Sequence, residues 1–145
     1  MKSCKKKYAR EVVRIRTSGS LDAASSKSSE VIMTVPADKV LVIETISASI
    51  RVPDTTPVPE VARLVVVTGS AFPPGTGSPL IDIPVTKMAT DPAGSFVNYV
   101  ALVNMRAYAD ELIQYSIDLS IPSSGVFDVS LFGYLLPVNS PCLAP

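Results

Sequence analysis

The sequence predicts an all-β fold, an antiparallel β-sandwich of jelly-roll type with about eight strands. Three observations lead to this fold class. Apolar and polar residues alternate with a period of two along much of the chain, helical periodicity is scarce, and clusters of Pro, Gly, Ser and Asp separate the alternating segments. An antiparallel sandwich fits this pattern because each of its strands buries one face and exposes the other.

The longest alternating segment, residues 40–52, predicts a long half-buried strand. Its even-numbered residues are apolar apart from Glu44, while Leu41 and Ile43 make its first part apolar on both faces. A strand that is apolar on both faces is typical of one that passes under a second layer. β-Branched and aromatic residues predict seven further strands, at residues 9–16, 30–35, 61–68, 80–85, 96–105, 112–121 and 126–136.

The segments between the predicted strands contain turn-forming residues. Residues 104–114 are the only candidate for a helix, and we interpret them as a short turn or a single helical turn between two strands. Residues 17–29 are small and polar, which is typical of a linker. The predicted organisation is a basic N-terminal arm at 1–16, a linker at 17–29, a β-sandwich domain at 30–137 and a C-terminal tail at 138–145.

The charge of this formally neutral chain is unevenly distributed. The first 16 residues contain seven Lys and Arg and one acidic residue, Glu11, so their net charge is +6. The remaining residues contain six basic and twelve acidic residues, so their net charge is −6. This asymmetry favours head-to-tail contact between copies or binding to a polyanion, and a plain solvated tail is the alternative. The strand-like end of the arm favours pairing with a sheet edge, preferably that of a neighbouring subunit. The predicted contact residues are Lys5, Lys6, Lys7, Arg10, Arg14 and Arg16.

Two cysteines lie near the two ends of the chain. Cys4 and Cys142 are compatible with a disulfide in an oxidising compartment, and equally with two free thiols on loose termini. The basic N-terminus lacks the apolar region of a secretory signal, so we expect no signal peptide in the sequence as given. No segment has the 18 or more apolar residues that a membrane-spanning helix needs.

Few residues suggest chemistry. The absence of histidine excludes His-based catalytic triads and His-containing zinc sites. We interpret Asp110 and Glu111 as a solvated turn rather than a catalytic pair, and residues 75–77 as a hairpin tip rather than a phosphate-binding loop. Four tyrosines have two interpretations, as a platform on which a sugar stacks or as residues of the core. We prefer core packing because Trp is absent. The four tyrosines are Tyr99, Tyr108, Tyr115 and Tyr134. We therefore predict no catalytic residue, no metal site and no cofactor.

Three segments resemble a known group of proteins. Residues 35–44 (VPADKVLVIE), 106–110 (RAYAD) and 132–136 (FGYLL) are similar to the VPAGKxLVIE, RLYAD and SGYLV segments of small, functionally uncharacterised bacterial β-sandwich proteins. This chain differs at Asp38 in place of Gly, at Ala107 in place of Leu, and at 111–112 in place of Pro-Gly. The resemblance implies a β-sandwich fold and no catalytic residue.

Together these observations predict a non-enzymatic structural protein. An apolar content of 47% with only 18% charged residues favours burial of surface between subunits. We expect a homo-oligomeric β-sandwich subunit of the capsid, virion-decorating, surface-layer or fibre type, in a virion or an extracellular assembly, whose arm contacts a neighbouring copy. Other structural proteins are further candidate partners. The alternatives are a carbohydrate- or surface-binding module, and a coat subunit whose basic arm binds nucleic acid.

Overall fold

The computed structural model describes residues 10–54, 58–60, 62–67, 80–88, 90, 94–109, 112–140 and 142. These residues form eight strands and no α-helix. In chain order the strands are β1 (Glu11–Leu21), β2 (Lys27–Thr34), β3 (Lys39–Pro53), β4 (Ala62–Val67), β5 (Leu80–Lys87), β6 (Phe96–Ala109), β7 (Leu112–Leu119) and β8 (Gly125–Pro137).

The pairing of the strands defines a jelly roll. The hydrogen-bonded order is β1-β8-β3-β6-β5-β4-β7-β2, and all neighbours are antiparallel. Strands β5 and β6 pair only through Thr86 and Lys87, so the order divides there into a first sheet, β1-β8-β3-β6, and a second sheet, β5-β4-β7-β2. Two four-stranded antiparallel sheets connected in this way are the jelly-roll architecture. The predicted fold class is therefore confirmed.

The core lies between the two sheets. Strand β7 shows strict alternation, because every second residue from Ile113 to Leu119 is buried and the residues between them are more exposed. On the neighbouring β4, the inward residues Ala62, Leu64 and Val66 are at most 1% exposed. Each fully buried side chain of this size stabilises the fold by about 1.5–3 kcal/mol relative to an exposed one. This apolar interior holds the two sheets together.

Strand β3 changes its inward face at Glu44. Leu41 and Ile43 belong to the core between the sheets, and so do the even-numbered residues from Ile46 to Val52. The pairing of β3 with β8 shifts by one residue between Ile43 and Thr45, which is a β-bulge. The predicted strand at 40–52 is confirmed. The prediction that its even-numbered residues form one continuous buried face is wrong, because the extra residue of the bulge inverts the alternation of inward and outward side chains.

A second apolar cluster covers the start of β3 on the outer side of the first sheet. Val40 and Val42 pack there with Tyr134, Leu136 and Cys142, which follows the last strand. The first part of β3 is therefore buried on both faces, as expected for a strand under a second layer.

The predicted arm and linker are not separate from the sandwich. Residues 11–16 belong to β1, which pairs with β8 of the same chain. Strand β1 continues to Leu21 and β2 begins at Lys27, so the predicted linker at 17–29 is wrong except for 22–26. The small polar residues 18–20 suggested a linker, but hydrogen bonding to β8 overrides this local preference.

The predicted turn at 104–114 is also different in the structure. Residues 104–109 continue β6, where they pair with β3, and residues 112–114 already belong to β7. Pairing along the sheet outweighs the helix-compatible composition of this segment. Asp110 and Glu111 lie outside the described residues.

Candidate functional site on the outer face of the first sheet

The predicted basic contact residues that the structure describes share one face of β1. Burial along β1 alternates, with the even-numbered residues 12–20 more exposed than the odd-numbered ones. Arg14 and Arg16 thus lie on the outer face of the first sheet. Arg10, which precedes the strand, also has an even number and so continues the same alternation. Lys5, Lys6 and Lys7 lie outside the described residues. The structure therefore arranges three arginines in a row, which we call the arginine row.

Each member of the arginine row contacts a side chain of β8. The Arg10 guanidinium lies 4.3 Å from the centre of the Tyr134 ring, and that of Arg14 lies 5.3 Å from the centre of the Phe132 ring. Arg16 Nε donates a hydrogen bond of 3.0 Å to Asp128 Oδ1, and this bond raises the pKa of Arg16. Within the described part of the chain, neither Arg10 nor Arg14 has an acidic partner. Their positive charges are therefore not neutralised locally.

A shallow pocket of about 280 Å³ opens beside this row. The strand register explains it: one row across the sheet is Arg14, Phe132 and Thr45, and the next is Arg16, Ser130 and Ser47. The two serines are short, so they leave a depression between the longer side chains of the adjoining positions. The pocket is lined by both arginines, Phe132 and the three hydroxyl residues, together with Ile15 and Leu131, and most of its surface is apolar with a few polar groups.

The opposite edge of the same outer face is apolar. Leu102 lies next to Ser47 in the register and is 72% exposed, and Val100 on the same strand is 39% exposed. The outer face of the first sheet is therefore basic along β1 and apolar along β6. Exposed apolar residues that adjoin one another are typical of a surface that contacts a ligand or another molecule.

The two ends of the sandwich differ in charge. Strands β1 and β3 end at the same end of the molecule, where Asp22 and Asp54 follow them, and Glu60 precedes β4 there. Glu60 lies 3.8 Å from Lys87, whereas Asp22 and Asp54 have no ion pair within the described residues. We call Asp22, Asp54 and Glu60 the acidic end. The basic N-terminal residues enter the fold at the other end, where β1 begins.

The tyrosines are mainly core residues. Tyr99 and Tyr115 are almost fully buried, and their hydroxyls donate hydrogen bonds to the Pro59 carbonyl and to Glu30. Burial raises the pKa of both, assisted by the charges of Glu60 and Asp54 near Tyr99 and by Glu30 near Tyr115. Tyr108 and Tyr134 pack in the second cluster. The four tyrosines therefore do not form one exposed platform.

The remaining candidate residues are only partly described. Cys142 is 7% exposed within the second cluster, while Cys4 lies outside the described residues, so the Cys4–Cys142 disulfide stays a prediction. Residues 75–77 also lie outside them. Across the described ranges, no group of three His, Cys, Asp or Glu is placed to hold a metal ion. No helix in this part of the chain is both long and apolar enough to span a membrane.

Sequence reasoning missed the residues that form the pocket with the arginines. Thr45, Ser47, Ser130 and Phe132 follow no motif, and they meet only because β3 and β8 pair with a bulge. The one available signal was the even spacing from Arg10 to Arg16, which predicts a shared face if the segment is a strand.

Seven chains of solved structures are similar to this chain, and two of them illustrate the likeness. No family model matches the chain, and no curated protein is significantly similar to it. A chain of the cyanophage Pam1 capsid asymmetric unit is 11% identical, with 92% of this chain and 96% of that chain covered and a TM-score of 0.47. A chain from the disulfide-linked pili of Bacillus endospore appendages is 18% identical, with 91% and 96% covered and a TM-score of 0.33. Because both TM-scores are below 0.5, neither likeness carries an argument about function.

Proposed function

We propose that this chain is a non-enzymatic structural subunit that self-associates head to tail. The basic N-terminal residues of one copy contact the acidic end of the next. The observation that carries this proposal is the position of the charges at opposite ends of the strands. Residues 1–9 hold four lysines and no acid, whereas Asp22 and Asp54 are unpaired where β1 and β3 end. Opposite charges at opposite ends favour an open, head-to-tail arrangement over a closed pair.

Charge alone does not hold such an assembly. An exposed ion pair contributes about 0–1 kcal/mol, so the lysines mainly orient the approaching copy. Backbone pairing can add the remaining stability at an open sheet edge. Among the described residues, positions 101–109 of β6 pair with β3 alone, and β2 pairs with β7 alone, which leaves one side of each strand open. A strand-like segment from a neighbour fits such an edge.

Light scattering of the purified full-length protein tests the proposal. We expect an oligomer at tens of micromolar. Deletion of residues 1–9 should yield a folded monomer, since all eight strands remain, whereas Cys4→Ser, which removes only the cysteine of that segment, should still assemble. Replacing Lys5, Lys6 and Lys7 by Ser should weaken assembly modestly, and so should raised salt. Normal assembly of the truncated protein contradicts the proposal.

A pair of matched variants tests the acidic end separately. Asp22→Asn and Asp54→Asn each remove one unpaired negative charge and should shift the assembly midpoint to higher concentration. Asp38→Asn removes an exposed negative charge at the opposite end of the sandwich, where β3 begins, and should not raise the assembly midpoint. Equal effects of all three variants would indicate a general charge effect rather than contact at the acidic end.

The arginine row favours nucleic-acid binding as the second candidate function. The unneutralised Arg10 and Arg14 share the outward parity of β1, and Lys5–Lys7 precede them in the sequence. Contact with several phosphates makes affinity fall steeply with salt, because each contact releases counterions. A steep salt slope that the Asp22 and Asp54 variants do not change favours this function, and a flat slope rejects it.

A further inference from the structure

The pocket beside the arginine row is not used by contacts at the two ends of the sandwich. We propose that it binds an acidic sugar unit, that is, a hydroxylated ring with one carboxylate or sulfate group. The two arginines and Asp128 together carry a net charge of +1 at this position. One negative group on the ligand neutralises it. The inference is independent of the proposed self-association.

Arg14 supplies the free donor group of the pocket. Its guanidinium carbon lies over the Phe132 ring, 5.3 Å from the ring centre, and this contact restricts the side chain. The N–H groups lie in the guanidinium plane and stay available, and their spacing matches two oxygens of a carboxylate or sulfate. The Arg16 Nε is already bonded to Asp128, so Arg16 mainly shapes the wall of the pocket. A single guanidinium with free N–H groups indicates that the pocket binds one anionic group.

The hydroxyls of the pocket suit an uncharged ring with hydroxyl groups of its own. Ser47 and Ser130 lie directly opposite each other on β3 and β8, and no hydrogen bond among the described residues uses either hydroxyl. Each can both donate and accept. Thr45 donates to Asn104 at 3.2 Å and keeps its acceptor capacity. These groups therefore offer several hydrogen bonds beside the Arg14 fork.

The size and the apolar border of the pocket limit the ligand further. A volume of about 280 Å³ is close to the lower end of the range for small-ligand sites, so one sugar ring fits and a larger group does not. The exposed Leu102 next to Ser47 can cover the C–H face of a ring. The open side of the pocket leaves the ring linkages accessible, so either a free sugar or one unit of a polysaccharide can bind.

Titration of the ¹⁵N-labelled full-length protein with three probes tests this inference by NMR. Glucuronic acid and glucose 6-sulfate carry the two candidate anions, and glucose is the neutral control. We expect saturable shifts of the Ser47 and Ser130 amides with at least one acidic probe, and affinity for glucose about tenfold lower. The tighter acidic probe identifies the anionic group. The absence of saturable shifts with both acidic probes overturns the proposal.

Two arginine variants separate the pocket from general surface charge. Arg14→Gln should lower the affinity for the better acidic probe about tenfold. Arg51→Gln is the matched control, because Arg51 is exposed, lies 4.6 Å from the centre of the Phe96 ring and does not line the pocket. Its affinity should be unchanged. Equal losses in both variants, or no loss in Arg14→Gln, overturn the proposal.

A pocket-filling variant provides a check that keeps the charge constant. Ser130→Leu places a larger side chain in the depression and should abolish the shifts at Ser47, while the thermal transition confirms that the protein is folded. Unchanged binding by folded Ser130→Leu contradicts the assigned position. Should that variant not fold, Ser47→Val, which removes a hydroxyl at similar volume, should reduce the affinity, and unchanged binding again contradicts the proposal.

Discussion

Replacement of Gly133 by Ala tests the close approach of β3 and β8 beside the bulge. A Cβ atom built on Gly133 lies 2.1 Å from the Val42 carbonyl oxygen and 3.0 Å from its carbon. An ordinary carbon–oxygen contact is about 3.3 Å, so the strands must separate by about 1 Å. The atom in the way belongs to the backbone and cannot rotate aside.

The structure gives the size of the expected effect. Overpacking costs about 1–3 kcal/mol, and one or two weakened backbone hydrogen bonds cost about 1 kcal/mol each. The lower entropy of an unfolded chain with Ala offsets about 0.4–1 kcal/mol. We therefore expect Gly133→Ala to lower the free energy of unfolding by about 2–4 kcal/mol, with a fall in Tm of roughly 5–15 °C.

Urea denaturation of Gly133→Ala beside Gly19→Ala provides the assay. Gly19 lies on the same sheet, but its added Cβ meets only the end of the Phe127 ring, at 2.9 Å. A side chain can shift more easily than a strand, so the control should lose about 1 kcal/mol or less. If Gly133→Ala is no less stable than Gly19→Ala, the close approach of the two strands at the bulge is refuted.

Three further predictions concern titration and covalent structure. Burial raises the pKa values of Tyr99 and Tyr115, so the stability that they contribute is complete below pH 10, the ordinary pKa of tyrosine, and is lost as the pH rises above it. The urea midpoint should therefore fall between pH 8 and pH 11. The fall should be smaller in the double variant in which both tyrosines are replaced by Phe. Non-reducing mass spectrometry should show Cys4 linked to Cys142, and reduction should lower stability by up to about 4–5 kcal/mol. Glu11→Gln removes the exposed ion pair of 2.6 Å with Lys39, and the urea midpoint should hardly change, because solvent screens an exposed pair.

The strands that were predicted most accurately are long and alternate regularly. The predicted strand at 126–136 corresponds to β8 (Gly125–Pro137), and that at 96–105 to the first ten residues of β6. Burial of one face imposes a period of two on the sequence, and this period can be read without knowledge of the partner strand. The jelly-roll class followed from the number and spacing of such segments.

The features that were not predicted depend on pairing between distant residues. The bulge at Glu44 exists because β3 has one more residue than β8 between two paired positions, and no local property of 40–52 specifies that count. The small residues 18–20 of β1 are a strand only because β8 supplies their hydrogen-bond partners. Local composition therefore gave a linker where the sheet imposes a strand.

The same distinction separates the two functional hypotheses. The charge asymmetry is a property of the linear sequence, and the fold adds only that Asp22 and Asp54 lie at the end of the sandwich where β1 and β3 end. The pocket, by contrast, draws on residues 14–16, 45–47 and 130–132, which the register alone brings together. A variant that forces β3 and β8 apart, such as Gly133→Ala, should therefore impair sugar binding even when it remains folded, while self-association through residues 1–9 and the acidic end should persist. If that variant still bound the sugar, the assigned position of the pocket would be contradicted. If it no longer assembled, the assignment of self-association to residues 1–9 and the acidic end would be contradicted.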